Sequence, residues 1–198
     1  MRPTRRRSPR RSRVPVPDAR GLVVRTAQAM HAAGLVVATQ GNVSVRERDR
    51  IWITPTAHPY PSMRSDDVVG IDFAGSHDPA GHAPSSEWRV HTAVYAARDD
   101  VRAIVHTHSV HATAWSHLTE HLAPDSEELP EGVATAPYAR PGSDSVAVSA
   151  VAALGRGRAV LLARHGVVGV GRSAEEALDV CFLVEHAAHV AWLLRSGA

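Results

Sequence analysis

The sequence predicts an α/β fold in which strand hairpins are interleaved with helices. Three observations predict it. Segments of helical period alternate with short β-branched runs in the order αββ(β)αβαβαββα. The runs at 43–45 and 51–53 are separated only by a charged turn, which is the mark of a hairpin and not of a crossover. The 198 residues, 44% of them hydrophobic, show no internal repeat and suit one domain with a substantial core.

Each element has a local cause. Asp18 can cap a helix running to about Ala33, with Leu22, Ala29 and Met30 on its apolar side and Gly34 as its stop. Gln40-Gly41-Asn42 is turn-like. Val43–Val45 and Ile51–Ile53 read as strands, and Thr54–Ala57 leaves the second as a loop. Val68–Phe73 is a further strand, and 75–84 is loop. Ser85 or Ser86 can cap a helix through about Arg98, in which Trp88, His91, Val94 and Tyr95 fall at helical spacing. Val101–Thr107 is a buried strand. After it come a helix over about 110–121, an acidic loop at 125–131 and a strand at 133–138. A helix at 145–154 leads to strands at 159–163 and 167–170. Ser173 and Glu176 form a capping box for a last helix that ends near Leu194. Gly166–Gly171 superficially resembles a dinucleotide fingerprint, but no helix opens within it and the glycine spacing is wrong.

Composition narrows the function classes. No run approaches the roughly 18 apolar residues of a membrane span. Cys181 is the only cysteine, so no intrachain disulfide is possible and a buried structural thiol is expected. The compartment is read as cytoplasmic. Residues 1–20 hold eight arginines against the single acid Asp18, which leaves 14 basic and 19 acidic residues in the remainder. Residues 1–17 are therefore expected to be a disordered Arg-rich tail, and 18–198 the single domain. The tail has no apolar core segment of a secretory signal, and nucleic-acid binding would rest on it alone. The chain contains no lysine, so a Schiff-base mechanism is excluded and carbonyl chemistry needs a metal or an oxyanion hole.

The chemistry concentrates at strand ends. His106 and His108 stand two apart where the apolar strand 101–105 finishes, so both rings face one side and can reach one ion. His165 leaves the strand 159–163 beside Gly166 and is a candidate third ligand. Glu87, at a helix start, is a candidate fourth; three imidazoles and a carboxylate can fill a tetrahedral zinc site or leave the carboxylate free to exchange. Ser85 and Ser86 offer hydroxyls and N–H groups at a helix N-terminus, and Asn42 and Thr56 on earlier turns could complete a phosphate cradle. Of the remaining histidines, His91 and His111 lie nearest these positions in sequence. His186 and His189 share only a helical face.

Six collinear stretches resemble one family: Gly41-Asn42-Val43-Ser44-Val45-Arg46, Ile53-Thr54-Pro55-Thr56, Pro84-Ser85-Ser86-Glu87-Trp88-Arg89, Val105-His106-Thr107-His108, Ala136-Pro137-Tyr138-Ala139 and Arg164-His165-Gly166. The sequence is similar over about 18–195 to the class II sugar-phosphate aldolases, the aldolase/adducin family, and most of all to its fuculose-phosphate branch. The resemblance implies a three-layer α/β/α sandwich around a mainly antiparallel central sheet, in a homotetramer with active sites at subunit interfaces. It makes His106, His108, His165 and Glu87 the ligands of one Zn2+ per subunit, and Glu87 also the catalytic acid/base. Asn42, Thr56, Ala57, Ser85 and Ser86 become the phosphate-binding set. The implied reaction cleaves a phosphorylated ketose, L-fuculose 1-phosphate by expectation, to dihydroxyacetone phosphate and an aldehyde through a metal-stabilised enediolate. The same zinc chemistry serves a 3-oxo-tetronate-phosphate decarboxylase, a sugar-phosphate epimerase and a methylthioribulose-1-phosphate dehydratase, and the family also includes adducin-like binding modules. Three departures bear on specificity. Ala57 replaces the usual glycine. Segment 118–133 is short, acidic and without the tyrosine expected there, and the chain stops at Ala198 before a closing tail.

Overall fold

A computed structural model describes residues 18–123, 127 and 129–197. The expected Arg-rich tail lies outside them, as does part of the acidic stretch after Ala123. Twelve elements organise the described chain: α1 (Ala19–Ala32), β1 (Asn42–Glu47), β2 (Arg50–Ile53), β3 (Val69–Ile71), α2 (Trp88–Ala97), β4 (Ala103–Thr107), α3 (Val110–Ser116), β5 (Ala134–Ala136), α4 (Asp144–Leu154), β6 (Ala159–Leu162), β7 (Gly166–Gly171) and α5 (Ala174–Ser196). Two 3₁₀ turns, Tyr60–Ser62 and Ser65–Asp67, precede β3.

The seven strands form one sheet in the order β3-β2-β1-β4-β7-β6-β5, antiparallel throughout except for the parallel pair β5–β6. Strand alternation sends side chains to two apolar layers. Val43, Val45, Ala103, Val105 and Leu161 pack with α1 and α5 on one face. Ile51, Ile53, Ile104, Val160, Leu162 and Val168 pack with α2 and α4 on the other. The result is the α/β/α sandwich around a mainly antiparallel sheet that the resemblance implies.

Helix ends follow their caps. Asp18 accepts from the N–H groups of Arg20 and Gly21, and Ser173 accepts from Glu176. α4 starts one residue before the expected Ser145, because Ser143 caps it by accepting from Val146 N. α3 stops at Ser116 instead of His121. α5 has the length and hydropathy to cross a membrane on those criteria alone, which corrects the expectation that nothing approaches such a length. In the fold it is a core helix: Ala177, Val180, Cys181, Val184 and Ala188 are buried with the β4 face of the sheet. Cys181 is fully buried as expected. Its Sγ lies 3.4 Å from the carbonyl of Val105, and burial pushes the thiol up to about 12.

Candidate metal centre

The site is assembled by register and parity. Asn42 of β1 pairs with His106 of β4, and both have the parity of Ser44 and Ile104, so their side chains face α2. The Gln40–Gly41 turn that delivers Asn42 is held from the other side, where the Tyr60 hydroxyl donates to the carbonyl of Gly41 at 2.6 Å. Gly41 has φ +76° and runs so close to β4 that a Cβ would stand 2.6 Å from the carbonyl oxygen of His106; glycine is the residue that fits. His108 lies just beyond the end of β4. His165 sits in the turn between β6 and β7, where its N–H faces the carbonyl of Leu162 at 3.0 Å and the Ser116 hydroxyl at 3.3 Å.

Glu87, His106, His108 and His165 come together, each offering one ligand atom, with all four atoms within 4.8 Å of one another. Glu87 Oε2 is 3.2 Å from His106 Nε2, and Glu87 Oε1 is 3.2 Å from His165 Nε2. His106 Nε2 and His108 Nε2 are 2.8 Å apart. The three rings meet edge to face with centroids 4.7–4.8 Å apart. His106 Nδ1 lies 2.9 Å from the carbonyl of Val167, a bond that needs the proton on Nδ1 and leaves the Nε2 lone pair aimed inward.

This donor set fits a borderline divalent cation. Bonds of about 2.0–2.2 Å to nitrogen and oxygen in a tetrahedron put neighbouring ligand atoms about 3.3–3.5 Å apart, close to the separations here. Among the described residues Glu87 Oε1 is also buried without a hydrogen-bond partner, an orphan that an ion would satisfy. Burial pushes the Glu87 carboxyl up, but the imidazoles of His106 and His165 and the amide of Asn42 outweigh it and hold the group ionised, well below the usual carboxylate range. Burial, reinforced by the neighbouring rings, lowers His108 to about 3 and His165 to about 4, so both stand neutral as ligation requires.

Behind Glu87 runs a buried polar chain. Asn42 Nδ2 donates to Glu87 Oε2 at 3.0 Å, and Asn42 Oδ1 accepts from His91 Nε2. His91 Nδ1 then accepts from the Ser44 hydroxyl at 2.6 Å, and Tyr95 OH lies 2.8 Å from Ser44 Oγ. Burial lowers His91 to about 3, which keeps it neutral, and the Asn42 carbonyl oxygen facing Nε2 places its one proton there. Sequence reading flagged His91 only by proximity and missed Ser44 and Tyr95. The available signal was parity: Ser44 is a polar residue on the same strand face as Asn42, inside an apolar run.

The other predicted residues are placed as follows. Thr56 N donates to Ala83 O and Ser85 N to Thr54 O, both at 3.0 Å, so the loops carrying Thr56–Ala57 and Ser85–Ser86 lie side by side. Thr56 and Ser86 are exposed. Ser85 is buried, its hydroxyl accepting from Glu87 N at 3.3 Å. Ala57 adopts φ +52°, a left-handed conformation that favours glycine. Neither serine caps α2 as expected. The N-cap position belongs to Glu87, whose side chain turns away from the helix toward the imidazoles. His111 is engaged elsewhere, 2.8 Å from Glu185 and stacked on His189 at 3.9 Å.

Comparison with known proteins finds one family. The family model described as the class II aldolase and adducin N-terminal domain matches residues 21–192. The chain is 37% identical over 171 residues to L-fuculose phosphate aldolase of Escherichia coli, covering 82% of this chain and 77% of that protein. It is 32% identical over 174 residues to a 5-methylthioribulose-1-phosphate/5-deoxyribulose-1-phosphate aldolase of Rhodospirillum rubrum, covering 86% and 78%. A solved structure of L-fuculose 1-phosphate aldolase superposes with a TM-score of 0.87 at 30% identity, covering 94% of this chain and 91% of that one.

Proposed function

We propose, from the premise that this chain belongs to the class II aldolase and adducin family, that it is a zinc-dependent aldolase cleaving a ketose 1-phosphate, L-fuculose 1-phosphate first, to dihydroxyacetone phosphate and an aldehyde. The observation that carries the reading is the buried convergence of Glu87, His106, His108 and His165 beside the paired loops 54–57 and 83–86. His106, His108 and His165 would hold the ion, with Glu87 the fourth ligand in the free enzyme. Bound there, zinc supplies Lewis-acid chemistry, polarising a ketone and offsetting the charge that develops as a carbon–carbon bond breaks. A chain without lysine has no Schiff-base route to the same end.

Glu87 is the group for the proton at C3. It is ionised, it lies within reach of the ligand cluster, and among the described residues its Oε1 has no hydrogen-bond partner to surrender. Asn42, fixed from behind by His91, Ser44 and Tyr95, keeps the carboxylate oriented. At the phosphate end, Thr56 and Ser86 present exposed side chains and Ser85 shapes the turn between them and Glu87. Cleavage of C3–C4 leaves the bonding pair on C3, which takes up a proton, while C4 loses its hydroxyl proton and becomes the aldehyde carbon. The fragment retaining C1 to C3 is dihydroxyacetone phosphate for every ketose 1-phosphate. The rest of the substrate therefore sets specificity, and the relative from Rhodospirillum rubrum supports a second reading in which the aldehyde derives from a 5-deoxy or 5-methylthio pentulose.

The same proposal takes residues 18–198 as one aldolase unit of a cytoplasmic homotetramer. The exposed apolar residues Phe182, Trp192, Leu193 and Leu194 on α5 supply a surface for assembly. The test is a panel of ketose 1-phosphates and phosphorylated 3-oxo acids, with enzymatic detection of dihydroxyacetone phosphate and of carbon dioxide. Dihydroxyacetone phosphate from one ketose 1-phosphate, lost on chelation and restored by zinc, is the expected result. Carbon dioxide from an oxo acid with no triose phosphate from any ketose would replace the aldolase by a decarboxylase.

A further inference from the structure

A second set of metal-ligating side chains lies outside the centre described above. His58 leaves the Thr56–Ala57 loop, Asp67 ends the second 3₁₀ turn, and His82 sits in the loop that leads to Ser85. Their candidate ligand atoms all lie within 4.8 Å of one another. The two imidazoles address different oxygens of one carboxylate: His58 Nε2 is 3.4 Å from Asp67 Oδ2, and His82 Nε2 is 3.4 Å from Asp67 Oδ1. Both separations exceed the roughly 2.7–3.2 Å of an ordinary N–H···O hydrogen bond. They match the edge of about 3.3–3.5 Å between donors sharing one ion at zinc bond lengths. The rings cross at 72° with centroids 5.3 Å apart, so they approach the carboxylate from two directions and do not stack.

The backbone fixes this arrangement independently of any ion. The hydrogen bond from Thr56 N to Ala83 O lies two residues from His58 and one from His82, and a Pro55–Pro84 bridge adjoins it. Asp67 Oδ2 accepts from Arg64 N at 2.7 Å, which sets the carboxylate's orientation. His82 is half exposed, and a cavity of about 230 Å³ that includes Asp67, Asp78 and His82 in its lining opens beside the group. Water can thus complete a coordination shell that the protein leaves open on one side.

We propose that His58, Asp67 and His82 form a second binding site for a zinc-class divalent cation. Two imidazoles and a carboxylate with open positions suit borderline cations and not calcium or magnesium, which take oxygen ligands. An ion held there ties the loop carrying Thr56 to the loop carrying Ser85 by a link other than their backbone hydrogen bonds.

The experiment is zinc titration of the full untagged chain at pH 7.5, with bound metal counted by mass spectrometry of the native protein. Wild type is expected to take two zinc ions, and His58→Gln, His82→Gln and His106→Ala one each, with His82→Gln/His106→Ala taking none. A wild-type protein that stops at one ion, or a His82→Gln variant that still takes two, overturns the proposal. A second readout needs no variant. Carbethoxylation of wild-type histidines, mapped by peptide mass spectrometry, should fall at His58 and His82 when the second equivalent of zinc is added. Equal modification of both with one and two equivalents also overturns the site.

Discussion

Asn42→Ala tests whether the polar chain behind Glu87 positions the carboxylate. The substitution deletes a donor 3.0 Å from Glu87 Oε2 and the acceptor of His91 Nε2 in one step. A hydrogen bond to a charged group contributes about 1.5–3 kcal/mol, and a buried N–H left unpaired costs about 1–3 kcal/mol. Asn42 is 2% exposed, so water cannot replace the lost partner without a cavity forming. The two effects together come to about 3–5 kcal/mol. At about 2–4 °C per kcal/mol for a chain of this size, the midpoint of thermal unfolding should fall by roughly 6–20 °C. The assays are urea unfolding of the metal-free protein and steady-state cleavage. In a cycle with Glu87→Gln, the coupling should be about 1 kcal/mol or more, because the two residues touch. A stability loss below about 1 kcal/mol, with kcat intact and KM raised, would refute the reasoning and assign Asn42 to phosphate alone.

Three other outcomes are expected. Glu87→Gln should still bind zinc through His106, His108 and His165, as measured by metal content, and should lose about 100-fold or more in kcat, because an amide cannot carry the C3 proton. His91→Gln should flatten the acid limb of stability: below pH 6.5 the unfolded chain protonates this imidazole while the folded one does not until about 3. Wild type therefore loses about 1.4 kcal/mol per pH unit through that window from His91, and urea midpoints between pH 6.5 and 4 measure the difference. Ala57→Gly should raise stability by about 1 kcal/mol, since a non-glycine residue at positive φ carries a penalty of that order. A destabilised Ala57→Gly protein would mean that the loop's neighbours, and not its backbone, hold the conformation.

The mixed order of helices and hairpin strands and the pair of strand-end imidazoles were readable from periodicity, whereas the sandwich and the assignment of the full candidate ligand quartet came from the resemblance of the six collinear stretches. An apolar strand running into His-Thr-His puts two rings on one face whatever surrounds it, whereas His165 is delivered by the turn between β6 and β7. Glu87 was readable as a residue but not as a conformation. Helix signals alone place a serine at the cap and the glutamate in the first turn. In the fold, two imidazoles draw the carboxylate inward, and the helix begins at Trp88 instead. Sequence could not show that Asn42 divides its amide between Glu87 and His91. That depends on the β1–β4 register, which pairs Asn42 with His106 across 64 positions of chain. The His58, Asp67 and His82 group was invisible for a related reason: all three sit on loops or turns, where no periodicity links residues so far apart.

That register also explains why the candidate metal centre and the sheet are one structural problem. A slip of one residue between β1 and β4 would send Asn42 and Ser44 to the α1 and α5 face, taking the support away from Glu87 while stranding polar groups in an apolar layer. The fold opposes the slip at both ends of the strand. Tyr60 and the close approach of Gly41 to His106 hold one end, and Arg46 N donates to Arg102 O at 2.8 Å at the other. Ser44, in the middle, is held by His91 and Tyr95 from α2. The buried polar chain is thus a register device as well as a support for the carboxylate. Its interruption should disturb zinc affinity even in variants that keep all four ligands.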